Sequence, residues 1–248
     1  MHIRLMQLRD LPRMRAHFGW AHYICGKLAV TSGPQSVLAK HIQRYLARRT
    51  DSAKASFDAQ HGTETCIRCY DIRYSAICGE FLKEMLTSVP EPLSEYGFVD
   101  VGSGKGAAIL HARNFPFLRY YGVELNLQLV ESALRNCRAY SVSTSIACDN
   151  CGAYSDPTRR TCGVSWVCGD FLRWSIPKEP LLFFLNNPFP PALNIPALEH
   201  IEASVAQSPH PALLVFRQPS ASTARYLDLS KVWRPLRLAP YWRIYARQ

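Results

Sequence analysis

From residue 95 onward the chain alternates short apolar runs with polar, turn-forming clusters, the pattern of strands buried on both faces and separated by helices. Residues 98–101, 119–125, 164–168, 181–185 and 212–216 read as five such strands, and residues 107–114 and 191–207 as helices between them. A strand, helix, strand succession with short connections predicts a right-handed, parallel β–α–β unit. The chain closes on residues 232–238 and 242–246, two strands around Ala239-Pro240-Tyr241, which predicts a terminal antiparallel hairpin. Seven strands are therefore expected, in an α/β fold with helices on both faces of one sheet.

The first strand runs into Asp100-Val101-Gly102-Ser103-Gly104-Lys105-Gly106. Glycines at 102, 104 and 106 let the backbone take positive φ and let a ligand approach to main-chain distance. Gly102, Gly104 and Ala107 also satisfy the dinucleotide pattern G-x-G-x-x-G/A, so a nicotinamide oxidoreductase is a competing reading. Asp100 weighs against it, because a carboxylate beside the loop repels a pyrophosphate and attracts an ammonium. S-adenosylmethionine carries an amino group and a sulfonium and no phosphate, and it suits that charge pattern.

Acidic residues recur at the ends of the next strands. Glu124, followed by Leu125, ends the second strand, where a carboxylate can accept from both hydroxyls of a ribose. Asp170, followed by Phe171, ends the third, and an acid with a ring suits an adenine. The fourth strand ends at Asn186-Asn187-Pro188-Phe189-Pro190. Each position also has a plain structural reading: Asp100 and Glu124 as helix caps, Asp170 as a turn residue, Phe171 as core, and Asn187-Pro188 as a turn.

In combination, Asp-Val-Gly-Ser-Gly-Lys-Gly (100–106), Gly-Val-Glu-Leu (122–125), Gly-Asp-Phe (169–171) and Asn-Asn-Pro-Phe (186–189) resemble the class I S-adenosylmethionine-dependent methyltransferase family, over roughly residues 55–248. The similarity is strongest to uncharacterised bacterial-type members with a segment like Phe57-Asp58 and His61-Gly62-Thr63-Glu64-Thr65 ahead of the loop. The resemblance implies a Rossmann-like seven-stranded methyltransferase sheet and S-adenosylmethionine as cofactor. It implies cofactor contacts from Asp100, Gly102, Ser103, Gly104, Gly106, Glu124, Leu125, Asp170, Phe171 and Asn186. By the same resemblance Asn187 lines the methyl-transfer site and Phe189 forms a wall of it. In amino-methylating relatives the turn is Asn/Asp-Pro-Pro-aromatic; here the second proline, Pro190, follows the ring, which speaks against nitrogen methylation of a planar base. Transfer from a sulfonium needs alignment and exclusion of water more than a general base. His61 and Glu64 are candidates to close over the cofactor or accept a proton.

Composition adds the setting. With 248 residues, 48% apolar and 19% charged, the chain can bury a sizeable core. Domains are expected at 1–54, a basic helical extension, and 55–248, the cofactor-binding domain. Residues 1–50 hold nine Lys and Arg against Asp10 alone, +8 of the net +10, with Trp20, Tyr23 and Tyr45 interleaved. A solvated helical cover explains this, and a nucleic-acid or other polyanion surface is the alternative, which would leave a non-catalytic binding module as a third function class. No run is long and apolar enough to span a bilayer and the N-terminus lacks a secretory h-region, so a soluble, cytoplasmic protein is expected. Nine cysteines include Cys66, Cys69, Cys148, Cys151 and Cys162, the last three in a polar insertion, residues 141–161 and just beyond. Their spacing to Cys168 is irregular for zinc, so reduced, unligated thiols and no metal are expected. The methyl acceptor and the oligomeric state are not readable from the sequence.

Overall fold

The computed structural model describes residues 58–63, 65, 76–140, 142, 144–148 and 163–248. The basic extension and the expected boundary after residue 54, as well as Glu64, Cys66, Cys69, Cys151 and Cys162, lie outside the described residues.

Helix α1 (Gly79–Thr87) leads into β1 (Gly97–Val101), α2 (Ala107–Ala112), β2 (Arg119–Glu124), α3 (Leu127–Ala139), β3 (Thr144–Cys148) and β4 (Val164–Cys168). Then follow β5 (Leu181–Asn186), α4 (Pro191–Ala206), β6 (Ala212–Arg217), α5 (Ala221–Leu229), β7 (Trp233–Leu238) and β8 (Trp242–Arg247). The strands form one sheet in the order β3-β4-β2-β1-β5-β6-β8-β7. The first six are mutually parallel, and β8 pairs antiparallel with both β6 and β7. This is the Rossmann-like sheet with a terminal antiparallel hairpin. From β1 the chain winds outward through β2 and then returns to place β5 on β1's other side. That reversal opens a crevice at the carboxyl ends of β1 and β5, the place where open α/β sheets bind ligands.

The seven expected strands are all present, and β3 is an eighth at the sheet edge. The sequence reading assigned its residues to a polar insertion. Thr-Ser-Ile-Ala-Cys is too short and too polar to stand out as a buried run, and its order comes from pairing along β4, Thr144 opposite Val164 through Cys148 opposite Cys168. Helix α1 was likewise not among the expected elements.

Alternation along the strands builds two cores. Phe98, Leu182, Phe184, Leu213 and Val215 pack with Leu82, Met85, Ile109 and Val130 on one face. Val99, Val101, Phe183, Leu185, Leu214 and Phe216 pack with Ala197, Leu198, Ile201 and Leu227 on the other. β1 is buried along its whole length, and β5 and β6 at all but their last residue, as parallel strands covered on both sides must be. Helix α3 starts on the Asn126 side chain, which accepts from the N–H groups of Gln128 (2.9 Å) and Leu129 (3.2 Å).

One indole locks the sheet to the glycine loop. Trp166 on β4 is fully buried, and a Cβ on Gly122 of β2 would stand 2.3 Å from its ring. A Cβ on Gly106 would stand 2.9 Å from the same ring. Gly122→Ala should therefore lower stability by about 1–3 kcal/mol through overpacking, read as a fall in the urea midpoint. Adding Trp166→Leu should recover part of that loss, and strictly additive effects of the two changes would sink this packing explanation.

Candidate functional site

β1 releases its chain at Val101 into three left-handed glycines, Gly102 (φ +69°), Gly104 (φ +54°) and Gly106 (φ +84°). The loop is tied back to β2. Gly102 and Ser103 donate their N–H groups to the carbonyl of Val123 at 2.9 and 3.0 Å. Gly104 donates to Oε2 of Glu124 at 2.9 Å, while Oε1 of the same carboxylate accepts from Asn126 N–H at 2.9 Å. The turn after β5 presses on the loop from the other side, since a Cβ on Gly102 would meet Cβ of Pro188 at 2.5 Å. Only glycine meets both the φ and the clearance at that position.

Within this frame lies a cavity of about 220 Å³. Asp100, Gly102, Ser103, Gly104 and Glu124 line one side, and Asn186, Asn187, Pro188, Arg217 and Gln218 line the other. Asp100 is 2% exposed, and its Oδ2 has no hydrogen-bond partner; neither has the Ser103 hydroxyl. Burial, reinforced by the neighbouring Glu124 carboxylate, pushes the Asp100 carboxyl up to about 8. On the far side, Arg217 Nη1 donates to Asn186 Oδ1 at 2.9 Å, and its guanidinium lies 5.7 Å from the Phe81 ring centroid. Burial lowers the Arg217 pKa from its ordinary value. Asn187 (φ +52°) and Gln218 (φ +53°) each hold a left-handed conformation just past a strand end. For side chains other than glycine such strain is concentrated where function constrains the backbone.

Of the sequence-nominated residues, Asp100, Gly102, Ser103, Gly104, Glu124, Asn186 and Asn187 meet at this one cavity. The others do not line it. Gly106 closes the loop against Trp166, and Leu125 is 72% exposed. Asp170 accepts from Leu172 N–H at 3.0 Å, capping a short 3-10 turn, and lies 3.9 Å from Arg173 Nε. Phe171, expected to stack on an adenine, is 3% exposed and packed in the second core with Phe189 at 6.0 Å and His200 at 5.4 Å between ring centroids. Phe189, expected as a wall of the methyl-transfer site, is partly buried against that core and does not line the cavity.

Asp58 organises the segment ahead of the loop. Its Oδ1 accepts from Thr63 Oγ1 (2.7 Å), Thr65 N–H (2.9 Å) and Thr65 Oγ1 (2.7 Å), across the left-handed Gly62. His61 lies against Tyr140, with ring centroids 4.5 Å apart and planes tilted by 58°, and does not line the cavity. Arg217 and Gln218 were missed by sequence reasoning. The available signal was a lone arginine ending the apolar run 212–216, the same position at which β5 ends in Asn186. Among the described residues no cluster of three His, Cys, Asp or Glu could hold a metal; Cys78 and Cys137 are buried free thiols, and Cys168 is buried. Among them, too, no helix is long and apolar enough to cross a membrane.

No family model matches the chain, and no curated protein matches it. Solved structures do. A putative methyltransferase from Escherichia coli is 17% identical, with a TM-score of 0.49 over 73% of this chain and 91% of its own. A putative RNA methyltransferase from Pyrococcus horikoshii is 10% identical, with a TM-score of 0.46 over 78% and 94%. The magnesium protoporphyrin IX methyltransferase of Synechocystis, solved with S-adenosylmethionine bound, is 13% identical, with a TM-score of 0.41 over 97% of each chain. Likeness at this level leaves function to be read from the cavity itself.

The raised Asp100 carboxyl makes stability depend on pH in a set direction. The unfolded chain releases this proton near the ordinary 3.8, whereas the folded protein keeps it to about 8. Stability from this group is therefore complete below about pH 4 and falls as pH climbs to about 8. Asp100→Asn should flatten that slope, gaining on the order of 2–4 kcal/mol over wild type at about pH 8.5 and little at about pH 4.5. Urea unfolding at the two pH values checks it, and equal gains at both would refute a buried, proton-holding Asp100.

Proposed function

We propose that this chain is an S-adenosylmethionine-dependent methyltransferase. The observation that carries the reading is Asp100: a buried carboxyl with an unpartnered oxygen, set beside a left-handed glycine loop and facing a cavity. Such a group needs a donor from the ligand, and an ammonium supplies one with charge. A dinucleotide would instead bring phosphate towards the Glu124 carboxylate, against Coulomb repulsion.

The residues present fit the cofactor. Asp100, the Ser103 hydroxyl and the loop would hold its amino-acid end. Glu124 has used one acceptor position on each oxygen for Gly104 and Asn126. An ionised carboxylate offers about four such positions, so two remain for the hydroxyls of a ribose. Asp170, at the end of the next strand outward, keeps acceptor capacity for the adenine amine. When bound, S-adenosylmethionine supplies an activated methyl group on a sulfonium. The chain's own part is positional. Clamped between β2 and Pro188, the glycine loop fixes where a ligand sits, and Asn186 and Asn187 bring amide groups to the acceptor side of the cavity. Burial of Asp100 and Ser103 keeps water from competing for the same donors.

Titration calorimetry with S-adenosylhomocysteine, and with NADH as the rival, tests this. Micromolar binding of S-adenosylhomocysteine, weakened at least about ten-fold in Asp100→Ala and in Glu124→Ala, is expected; saturable NADH binding in its place would overturn the reading. Asp100 adds a proton signature. Near pH 7 it holds its proton, so an ammonium ligand should displace close to one proton per site, and affinity should rise by up to about ten-fold per unit from pH 6 to 8. Calorimetry in buffers of different ionisation enthalpy measures that release, and Asp100→Asn should abolish it.

A further inference from the structure

We propose that Arg217 is the anion-receiving end of the cavity, taking a carboxylate or phosphate group of a bound ligand, and so selects ligands that carry one. The inference builds on the proposed cofactor site, whose acidic side it faces. Arg217 is the last residue of β6, register partner of Asn186 at the end of β5, and lines the same cavity as Asp100 and Glu124. Its partners are a neutral amide oxygen, Asn186 Oδ1, and the face of Phe81, with the buried Cys78 thiol near enough to interact electrostatically. Among the described residues no carboxylate lies within ion-pair reach of it. Among the described residues, Arg119, Arg173 and Arg243 do have such partners, in Glu179, Asp170 and Asp228.

A partly buried guanidinium without an anion bears a desolvation penalty that a carboxylate or phosphate would offset. It has five N–H donors in a fixed fork and spends one on Asn186, which holds the plane in place over Phe81. The fork is thus oriented in advance for a planar or tetrahedral oxyanion. Backbone geometry supplies a second, independent observation. The residues following this pair, Asn187 and Gln218, are the two non-glycine residues with positive φ among those described, and both line the cavity. Both strands therefore give way to turns at the same level, beside Arg217. Strand order gives the scale: β2, β1, β5 and β6 are consecutive neighbours, so the strands bearing Glu124 and Arg217 stand three spacings, about 14 Å, apart. A ligand contacting both carries a hydrogen-bonding diol or cation at one end and an anion at the other.

That anion has two possible sources, the α-carboxylate of the cofactor or an acidic group on the methyl acceptor, and the test separates them. Arg217→Gln and Arg217→Lys, checked for wild-type thermal stability, are titrated with S-adenosylhomocysteine and with 5′-methylthioadenosine, which keeps the nucleoside and sulfur but lacks the amino acid. If the cofactor carboxylate is the ligand, Arg217→Gln weakens S-adenosylhomocysteine at least about ten-fold, leaves 5′-methylthioadenosine within about two-fold, and Arg217→Lys restores part of the loss. If the acceptor is the source, S-adenosylhomocysteine is unaffected. Inorganic phosphate then binds saturably to the S-adenosylhomocysteine-loaded wild type, followed by phosphorus NMR line broadening, and not to loaded Arg217→Gln. Unchanged affinity for both nucleosides, with phosphate behaving alike on wild type and Arg217→Gln, overturns the proposal. A wild type that binds neither nucleoside sinks the cofactor reading alone, and phosphate on the unloaded protein still decides the role of Arg217.

Discussion

The carboxylate of Glu124 holds the centre of this molecule together. One oxygen takes the N–H of Gly104 and the other that of Asn126, so a single side chain joins the loop after β1 to the turn that starts α3. Charge-assisted bonds to backbone N–H groups are among the stronger polar contacts available to a protein. Without this clamp a loop with three left-handed glycines would have many conformations to choose from. With it, and with Pro188 packed against Gly102, the loop has one shape, and the cavity inherits that shape.

Holding the loop there has an electrostatic consequence. Glu124 is drawn towards Asp100, whose carboxyl is already buried, and the pair favours a protonated Asp100. A fold selected for stability alone would place a hydrophobic or amide side chain at that position. Across the crevice Arg217 stands apart from any described carboxylate, held by Asn186 and Phe81. Strands β1 and β5 lie between the Glu124 carboxylate and the Arg217 guanidinium, so neither neutralises the other, and both remain available to a ligand that brings the complementary groups.

Much of this was legible in the chain. Continuous apolar runs announced parallel strands, because a strand covered on both faces has no polar side to show. Glycines at 102, 104 and 106 announced the loop, and acids at strand ends announced where it would face. The edge strand β3 was not legible, since an edge pairs on one side only and tolerates a polar five-residue segment. Phe171 and Phe189 were ambiguous for a related reason: an aromatic next to a polar strand end looks the same in sequence whether it faces a cavity or the core, and here the two rings pack on each other. Arg217 passed unnoticed because one arginine after an apolar strand resembles any surface terminus.

Local chemistry therefore fixed the elements and the positions of the turns: strand periodicity, glycine at positive φ, and acids where strands end are properties of neighbouring residues. Which strand ends share a cavity is a property of strand order, set by crossovers between residues far apart in the chain. That order brought Asp100, Glu124, Asn186 and Arg217 to one crevice and turned Phe171 and Phe189 away from it. It also decided the charge state of Asp100, since burial and a neighbouring carboxylate exist only once β1, β2 and the helices over them have packed.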